Sequence, residues 1–163
     1  MNAIVAVDEN WGIGCKGELL FSIPEDLKFF KDLTINKVVV MGHCTLKSLP
    51  NSKPLKNRIN IVLSRDKDLE LDSVMVCNSI DHLIETTSQY DSNDVIVIGG
   101  QDIYAQLLAY CSVVYVTKVK GSRYADRHFP NIDEIPHWQI EHESDEKEHD
   151  GYKYVFCKYV NVK

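Results

Sequence analysis

The chain has 163 residues, of which 44% are hydrophobic and 26% charged, with a net charge of −6. That composition fits one globular domain spanning 1–163 with a sizeable core, and the acidic balance argues against nucleic-acid partners while leaving room for a local basic pocket. Five cysteines (15, 44, 77, 111 and 157), scattered without a C-x-x-C pair, and six histidines without H-E-x-x-H spacing exclude a disulfide framework and point to no metal centre.

Residues 1–8 lack a basic lead and meet an acid after a short apolar run, so neither a signal peptide nor a membrane span is expected and the location should be cytoplasmic. Within them, 3–7 has the continuous apolar character of a strand buried on both faces. Residues 9–21 read as a loop: three glycines at 12, 14 and 17 permit positive φ, while Trp11, Ile13, Leu19, Leu20 and Phe21 give it more apolar surface than a solvated loop needs. Such a loop could close over a ligand or simply pack on the core.

A helix starts at Pro24, with Ser22 and Glu25 at capping-box spacing. At helical spacing Asp26 lines up with Phe29, Phe30 and Leu33, whereas Glu25 lines up with Lys28 and Asp32 on a polar face. Glu25 therefore belongs in water. Asp26 is aimed inward, where an ionised carboxylate without a partner is costly. Either a basic residue of the fold pairs with it, or it is the polar anchor of an apolar pocket that grips a flat heterocycle with adjacent N–H donors.

Residues 37–41 form a second buried-strand run, ending in Gly42 and a short helix that carries His43, Cys44 and Thr45. After a polar, proline-bearing loop at 50–57, Arg58 opens the strand 59–63, which Ser64 and Arg65 terminate with a hydroxyl and a guanidinium side by side. A short strand at 74–76 precedes a helix capped by Ser79. The most apolar strand, 95–98, runs into Gly99-Gly100 and a helix to about residue 110. Each strand–glycine–helix junction suits an anion, although tight packing would use glycine as well. A further strand covers 113–117, and segments 138–143 and 152–159 form a terminal hairpin joined through the acidic, solvated stretch 144–151, with Asp150-Gly151 near its turn. The fold expected is α/β: a mostly parallel central sheet with helices on both faces and a C-terminal antiparallel hairpin. In such sheets ligands settle beyond the carboxyl ends of the strands, where both glycine turns, Ser64-Arg65 and the 9–21 loop all lie.

Over nearly its whole length the chain resembles the dihydrofolate reductase family. The resemblance rests on Ala6-Val7-Asp8-Glu9-Asn10, Gly12-Ile13-Gly14, Ile23-Pro24-Glu25-Asp26-Leu27-Lys28-Phe29-Phe30, Val40-Met41-Gly42, Thr45, Pro54-Leu55, Arg58-Ile59-Asn60-Ile61-Val62-Leu63-Ser64, Ile98-Gly99-Gly100 with Ile103-Tyr104, Thr117 and His128-Phe129-Pro130. It implies NADPH-dependent reduction of 7,8-dihydrofolate, by hydride transfer to pterin C6 and protonation of N5. It makes Asp26 the catalytic, pterin-binding carboxylate supported by Thr117, and Leu27, Phe30, Leu49 and Leu55 the lining of the substrate pocket. Arg58 would fork onto the substrate's glutamate carboxylate. Val5, Ala6 and Ile98 would border pterin and nicotinamide, with Tyr104 close by. The cofactor would lie along Gly42, His43, Cys44 and Thr45, along Leu63, Ser64 and Arg65, and along Gly99, Gly100, Gln101, Asp102 and Ile103. Ile13, Gly14 and Leu19 would touch it from the 9–21 lid. Dihydrofolate and antifolate-type small molecules are the partners implied, and a monomer is expected.

The chain departs from the family pattern in three places. Leu19-Leu20-Phe21 replaces the usual Leu-Pro-Trp of the lid. His43 stands where an arginine commonly faces the 2′-phosphate, which should weaken discrimination against NADH as pH rises. Gln101 follows the paired glycines where a small residue is frequent. A related reductase acting on another pterin-like or riboflavin-pathway substrate, and a non-catalytic nucleotide-binding module, are the rival readings; Asp26 and Arg58 together favour folate.

Overall fold

In the computed structural model, which describes residues 1–163, the buried-strand runs form one nine-stranded sheet. In chain order the elements are β1 (Asn2–Val7), β2 (Gly12–Cys15), β3 (Glu18–Leu19), α1 (Pro24–Thr34), β4 (Val38–Gly42), α2 (His43–Ser48), β5 (Ile59–Leu63) and β6 (Met75–Cys77). There follow α3 (Ile80–Thr87), β7 (Val95–Gly99), α4 (Gln101–Leu107), β8 (Val113–Val119), β9 (Arg127–His128), β10 (Trp138–Glu143), β11 (Lys147–His149) and β12 (Tyr152–Asn161). The strand order is β10-β12-β8-β1-β7-β4-β5-β6. From β8 to β6 every neighbour is parallel, and β12 runs antiparallel to both β8 and β10.

Alternate residues of a strand point to opposite faces, and here both faces are covered. Val5, Val40 and Val97 share a core with Leu83 of α3 and Leu107 of α4. Val39, Met41 and Val62 meet Leu46 of α2 on the other side. Helix α1 lies on that second side too, where Phe29 packs against Tyr115 and Phe156. This double cover is why Val38, Val39, Val40 and Met41, at 0 to 1% exposure, read as an unbroken apolar run.

Local chemistry sets the helix ends. Ser79 caps α3, its Oγ accepting from the His82 N–H at 3.0 Å, a contact worth about 1 kcal/mol. Pro24 occupies the first turn of α1 as expected, but the capping box does not form: the cap residue is Ile23 and no side chain caps it. With Ile23 as the cap, Ser22 lies one residue too early and Glu25 is the second helical residue, not the third. The Glu25 carboxylate, exposed to water as the sequence predicts, also accepts from Tyr154 Oη at 2.8 Å and pairs with Lys147 Nζ at 3.3 Å, so β11 and β12 hold it.

Two segments expected as loops are sheet. Residues 12–19 fold as the hairpin β2–β3, turned at Lys16-Gly17 with φ of 51° and 81°, and β2 also pairs with β9. Gly12 is required there, since a Cβ would stand 2.7 Å from Ala125 Cβ. The acidic stretch 144–151 is likewise not a solvated loop. It contains β11, which pairs with β12 across the Asp150-Gly151 turn, so β12 hairpins with β11 and pairs separately with β10.

Candidate functional site

The ends of β4, β5 and β7 bring both glycine turns together. Gly42 pairs with Leu63, so His43, Cys44 and Thr45 leave the sheet beside Ser64 and Arg65. On the other flank Met41 pairs with Gly99 after an irregularity in register at Ile98. Gly99 has φ of 127°, a conformation that favours glycine, and the Gly99-Gly100 peptide is cis. A Cβ on Gly42 would sit 3.0 Å from Ile103 Cγ1, and one on Gly100 would sit 3.4 Å from Thr45 Oγ1. The Gly42 turn is thus closed against a side chain by Ile103 of α4, while Gly100 lies in ordinary contact with Thr45. Residues 42–45, 63–65 and 98–104 form a continuous strip, bare of side chains at 42, 99 and 100, of the kind that lets backbone approach a pyrophosphate.

Next to this strip lies Asp26. Its Oδ1 accepts from Thr117 Oγ1 at 2.6 Å, and Thr117, 1% exposed, stands opposite Ala6 in the β1–β8 register. No lysine or arginine pairs with the acid, which excludes the structural ion pair left open by the sequence. Burial pushes its carboxyl above the ordinary range and the Thr117 hydrogen bond opposes that rise. Glu25, one residue earlier, is opposite in character: the Tyr154 hydroxyl, with Lys147, holds it below the ordinary range. Tyr104 is fully enclosed and donates to the Ile4 carbonyl at 2.6 Å. Burial first, and then the charge of Asp26, force its phenol far upward, so it remains a donor fixed against the backbone of β1 beside Val5 and Ala6.

Arg58 is placed by the far end of α1. Its Nε donates to Thr34 Oγ1 at 3.0 Å and its Nη1 to the Lys56 carbonyl at 2.9 Å, while Thr34 Oγ1 donates to the Phe30 carbonyl at 2.8 Å. Residues 26, 30 and 34 share one helix face, and eight residues of helix span about 12 Å. A half-buried acid and a braced guanidinium therefore mark opposite ends of one helical face. Between them Leu27 is 48% exposed, and Phe30, Leu49, Leu55 and Ile98 are half-buried. This is apolar surface available to a ligand.

Several residues that shape this region were not singled out in the sequence. Asn60, 4% exposed, braces the loop under Leu55 by accepting from the Leu55 N–H at 3.0 Å and donating to its carbonyl at 2.9 Å. Asp8, 3% exposed, ties the base of the 9–21 segment: Oδ1 accepts from the Asn10 and Gly12 N–H groups at 2.9 and 2.8 Å, and Oδ2 from the Arg123 N–H at 3.0 Å. Asp126 Oδ2 accepts from the Lys16 N–H at 3.0 Å. The Asp8–Asn10 contact is an Asx turn that the local sequence could have revealed, and the Asp8–Gly12 and Asn60–Leu55 bonds are short-range too; only those from Arg123 to Asp8 and from Lys16 to Asp126 cross more than a hundred residues. Ile13 and Gly14 are buried in β2, and Leu19 is 77% exposed. A cavity of about 620 Å³ opens elsewhere, beside Asp8, Trp11, Lys118, Asp133 and Glu143, and touches none of the residues the resemblance assigns.

A parallel sheet with two adjoining glycine turns at its strand ends and, beside them, a half-buried acid on an apolar helix face with no cation partner defines a reductase of the nucleotide-cofactor class. A family model described as dihydrofolate reductase matches residues 1–161. The chain is 34% identical to a dihydrofolate reductase of Buchnera aphidicola subsp. Baizongia pistaciae, over all of this chain and 95% of that one. It is 33% identical to one of Bacillus subtilis, over 96% of this chain and 91% of that one. Among solved structures, dihydrofolate reductase from Enterococcus faecalis, complexed with NADP(H) and RAB-propyl, superposes with a TM-score of 0.89 at 30% identity, covering 99% of this chain and 96% of that one. The chain belongs to the dihydrofolate reductase family, and reduction of dihydrofolate is its activity.

Proposed function

We propose that this chain, as a single domain over 1–163, reduces 7,8-dihydrofolate to tetrahydrofolate with NADPH, acting as a cytoplasmic monomer with small-molecule partners and no nucleic acid. No helix is long and apolar enough to cross a membrane. The observation that carries the reading is the pairing of Asp26 and Arg58 at opposite ends of one helical face. Dihydrofolate has the matching asymmetry: adjacent N–H donors at its pterin end and carboxylates at its glutamate end.

In this reading Asp26 binds the pterin amine and the neighbouring ring nitrogen, held at its other side by Thr117. Leu27, Phe30, Leu49 and Leu55 cover the rings, and Arg58, anchored through Nε and Nη1, turns its remaining donor edge to the α-carboxylate. Val5, Ala6 and Ile98 border the ring to be reduced. The adjoining turns fit NADPH, because backbone without side chains at Gly42, Gly99 and Gly100 lets a pyrophosphate approach closely. Residues 42–45, 63–65 and 98–104 would hold its phosphates and adenosine, with Tyr104 near its nicotinamide and Ile13, Gly14 and Leu19 over it. When bound, NADPH supplies the hydride that C6 of the pterin accepts. Asp26 keeps negative charge beside the ring, favouring proton uptake at N5 from water admitted past the 9–21 segment, and closure of that segment excludes bulk solvent.

Spectrophotometric oxidation of NADPH with dihydrofolate tests this directly, run in parallel with NADH. Turnover with dihydrofolate is expected. Tight binding of both ligands without turnover, or turnover with another heterocycle alone, would overturn it.

A further inference from the structure

Gln101 departs from the small residue expected after the paired glycines, and the structure shows what its length reaches. Its Oε1 accepts from the His128 backbone N–H at 2.7 Å. His128 lies in β9, whose partners are Gly12 and Gly14 of β2, and the next residue, Phe129, donates its N–H to the Trp11 carbonyl at 2.8 Å. One turn along α4, Tyr104 packs edge-on against Phe129 with centroids 4.8 Å apart. The first turn of α4 thus grips residues 128 and 129 twice, through a polar contact at 101 and an aromatic one at 104.

We propose that Gln101 is a positioning residue that ties the Gly99-Gly100 turn to the β2–β9 sheet, so that a dinucleotide phosphate seated in the turn stiffens the 10–19 segment. The proposal rests on the cofactor reading given above. Residues 99–101 lead straight into α4, so a ligand that fixes the turn also fixes the root of the Gln101 side chain. Less side-chain entropy is then lost in holding the His128 bond, and β9 and its partner β2 gain order from it. A small residue at 101 would leave the aromatic contact and remove the polar one.

Hydrogen–deuterium exchange on the full chain, with and without saturating NADP+, tests this with Gln101→Met, which keeps length but loses the acceptor, and Gln101→Glu, which keeps an acceptor oxygen. In the unaltered protein NADP+ should slow exchange across 10–19 and 125–129 by up to about five-fold, the ceiling set by the worth of one net hydrogen bond. Gln101→Met should lose most of that slowing while 42–45 and 99–104 remain protected by NADP+, and Gln101→Glu should retain it. Equal slowing of 10–19 in the unaltered protein and Gln101→Met, with 42–45 protected in both, would overturn the proposal alone. No protection at 42–45 in the unaltered protein would overturn the cofactor reading and the proposal with it.

Discussion

Replacing Thr117 with valine exchanges a hydroxyl for a methyl of nearly equal volume at a position 1% exposed, so packing is kept and the 2.6 Å bond to Asp26 is lost. A hydrogen bond to an ionised group is worth about 1.5–3 kcal/mol and one to a neutral group about 0.5–1.5 kcal/mol. The loss should therefore cost about 2 kcal/mol at pH 7, or about 4–8 °C in Tm for a chain of this size. Because the hydroxyl opposes the upward push of burial on Asp26, its removal should raise the carboxyl's titration midpoint further. The sign follows: the cost is greatest where Asp26 is ionised and shrinks by about 1 kcal/mol or more as pH falls through its titration and the acid becomes neutral. Carboxyl NMR titration locates the Asp26 midpoint, and denaturant melts at pH 7 and at a pH below that midpoint measure both effects. kcat/KM for dihydrofolate should fall about ten-fold, since the acid loses the group that orients it. An equal stability cost at both pH values and an unmoved midpoint would show that Thr117 does not serve an ionised Asp26.

Asp26→Asn should lower kcat/KM by about a hundred-fold or more, yet stabilise the fold at pH 7. Its raised carboxyl pKa means that ionisation costs stability as pH rises through the folded value, so the gain should vanish on acidification; a destabilised variant at pH 7 would contradict this. Tyr154→Phe should cost about 0.5–1 kcal/mol at pH 7, the low end because Glu25 is 49% exposed. Since Glu25 is held below the ordinary carboxylate range, that cost should disappear as pH falls through its titration; a double-mutant cycle with Glu25→Ala should be non-additive, and additivity would dissolve the clamp. Gly42→Ala places a Cβ 3.0 Å from Ile103 Cγ1 and should raise KM for NADPH about ten-fold with KM for dihydrofolate little changed, whereas an unaltered KM for NADPH would separate the turn from the cofactor.

What the sequence disclosed depended on how each element is stabilised. Strands covered on both faces, such as Val38–Gly42 and Val95–Gly99, declare themselves as apolar runs because nothing polar can be tolerated there. Asp26 stood out for the complementary reason, as an acid on an apolar helix face. Elements held by distant partners were silent. β11 is Lys147-Glu148-His149, with no apolar content, and exists because β12 supplies its hydrogen bonds. Ser22 and Glu25 have capping spacing, yet Ile23 is the cap, and a tyrosine 129 residues away from Glu25 holds its carboxylate. In the candidate site, the residue types at 26, 58 and 117 were visible, but the relay from Arg58 through Thr34 to α1 needed coordinates, as did the reach of Gln101 to His128.

The placement of β12 between β8 and β10 governs how the protein is made. While residues 152–161 are still inside the ribosomal tunnel, β8 has no neighbour on one side, and its bare edge can pair with any extended chain. The growing polypeptide must therefore wait, or be shielded by a chaperone, until that strand emerges. The same insertion delivers Tyr154 to Glu25, so the helix bearing Asp26 is locked by a residue synthesised 129 positions after Glu25.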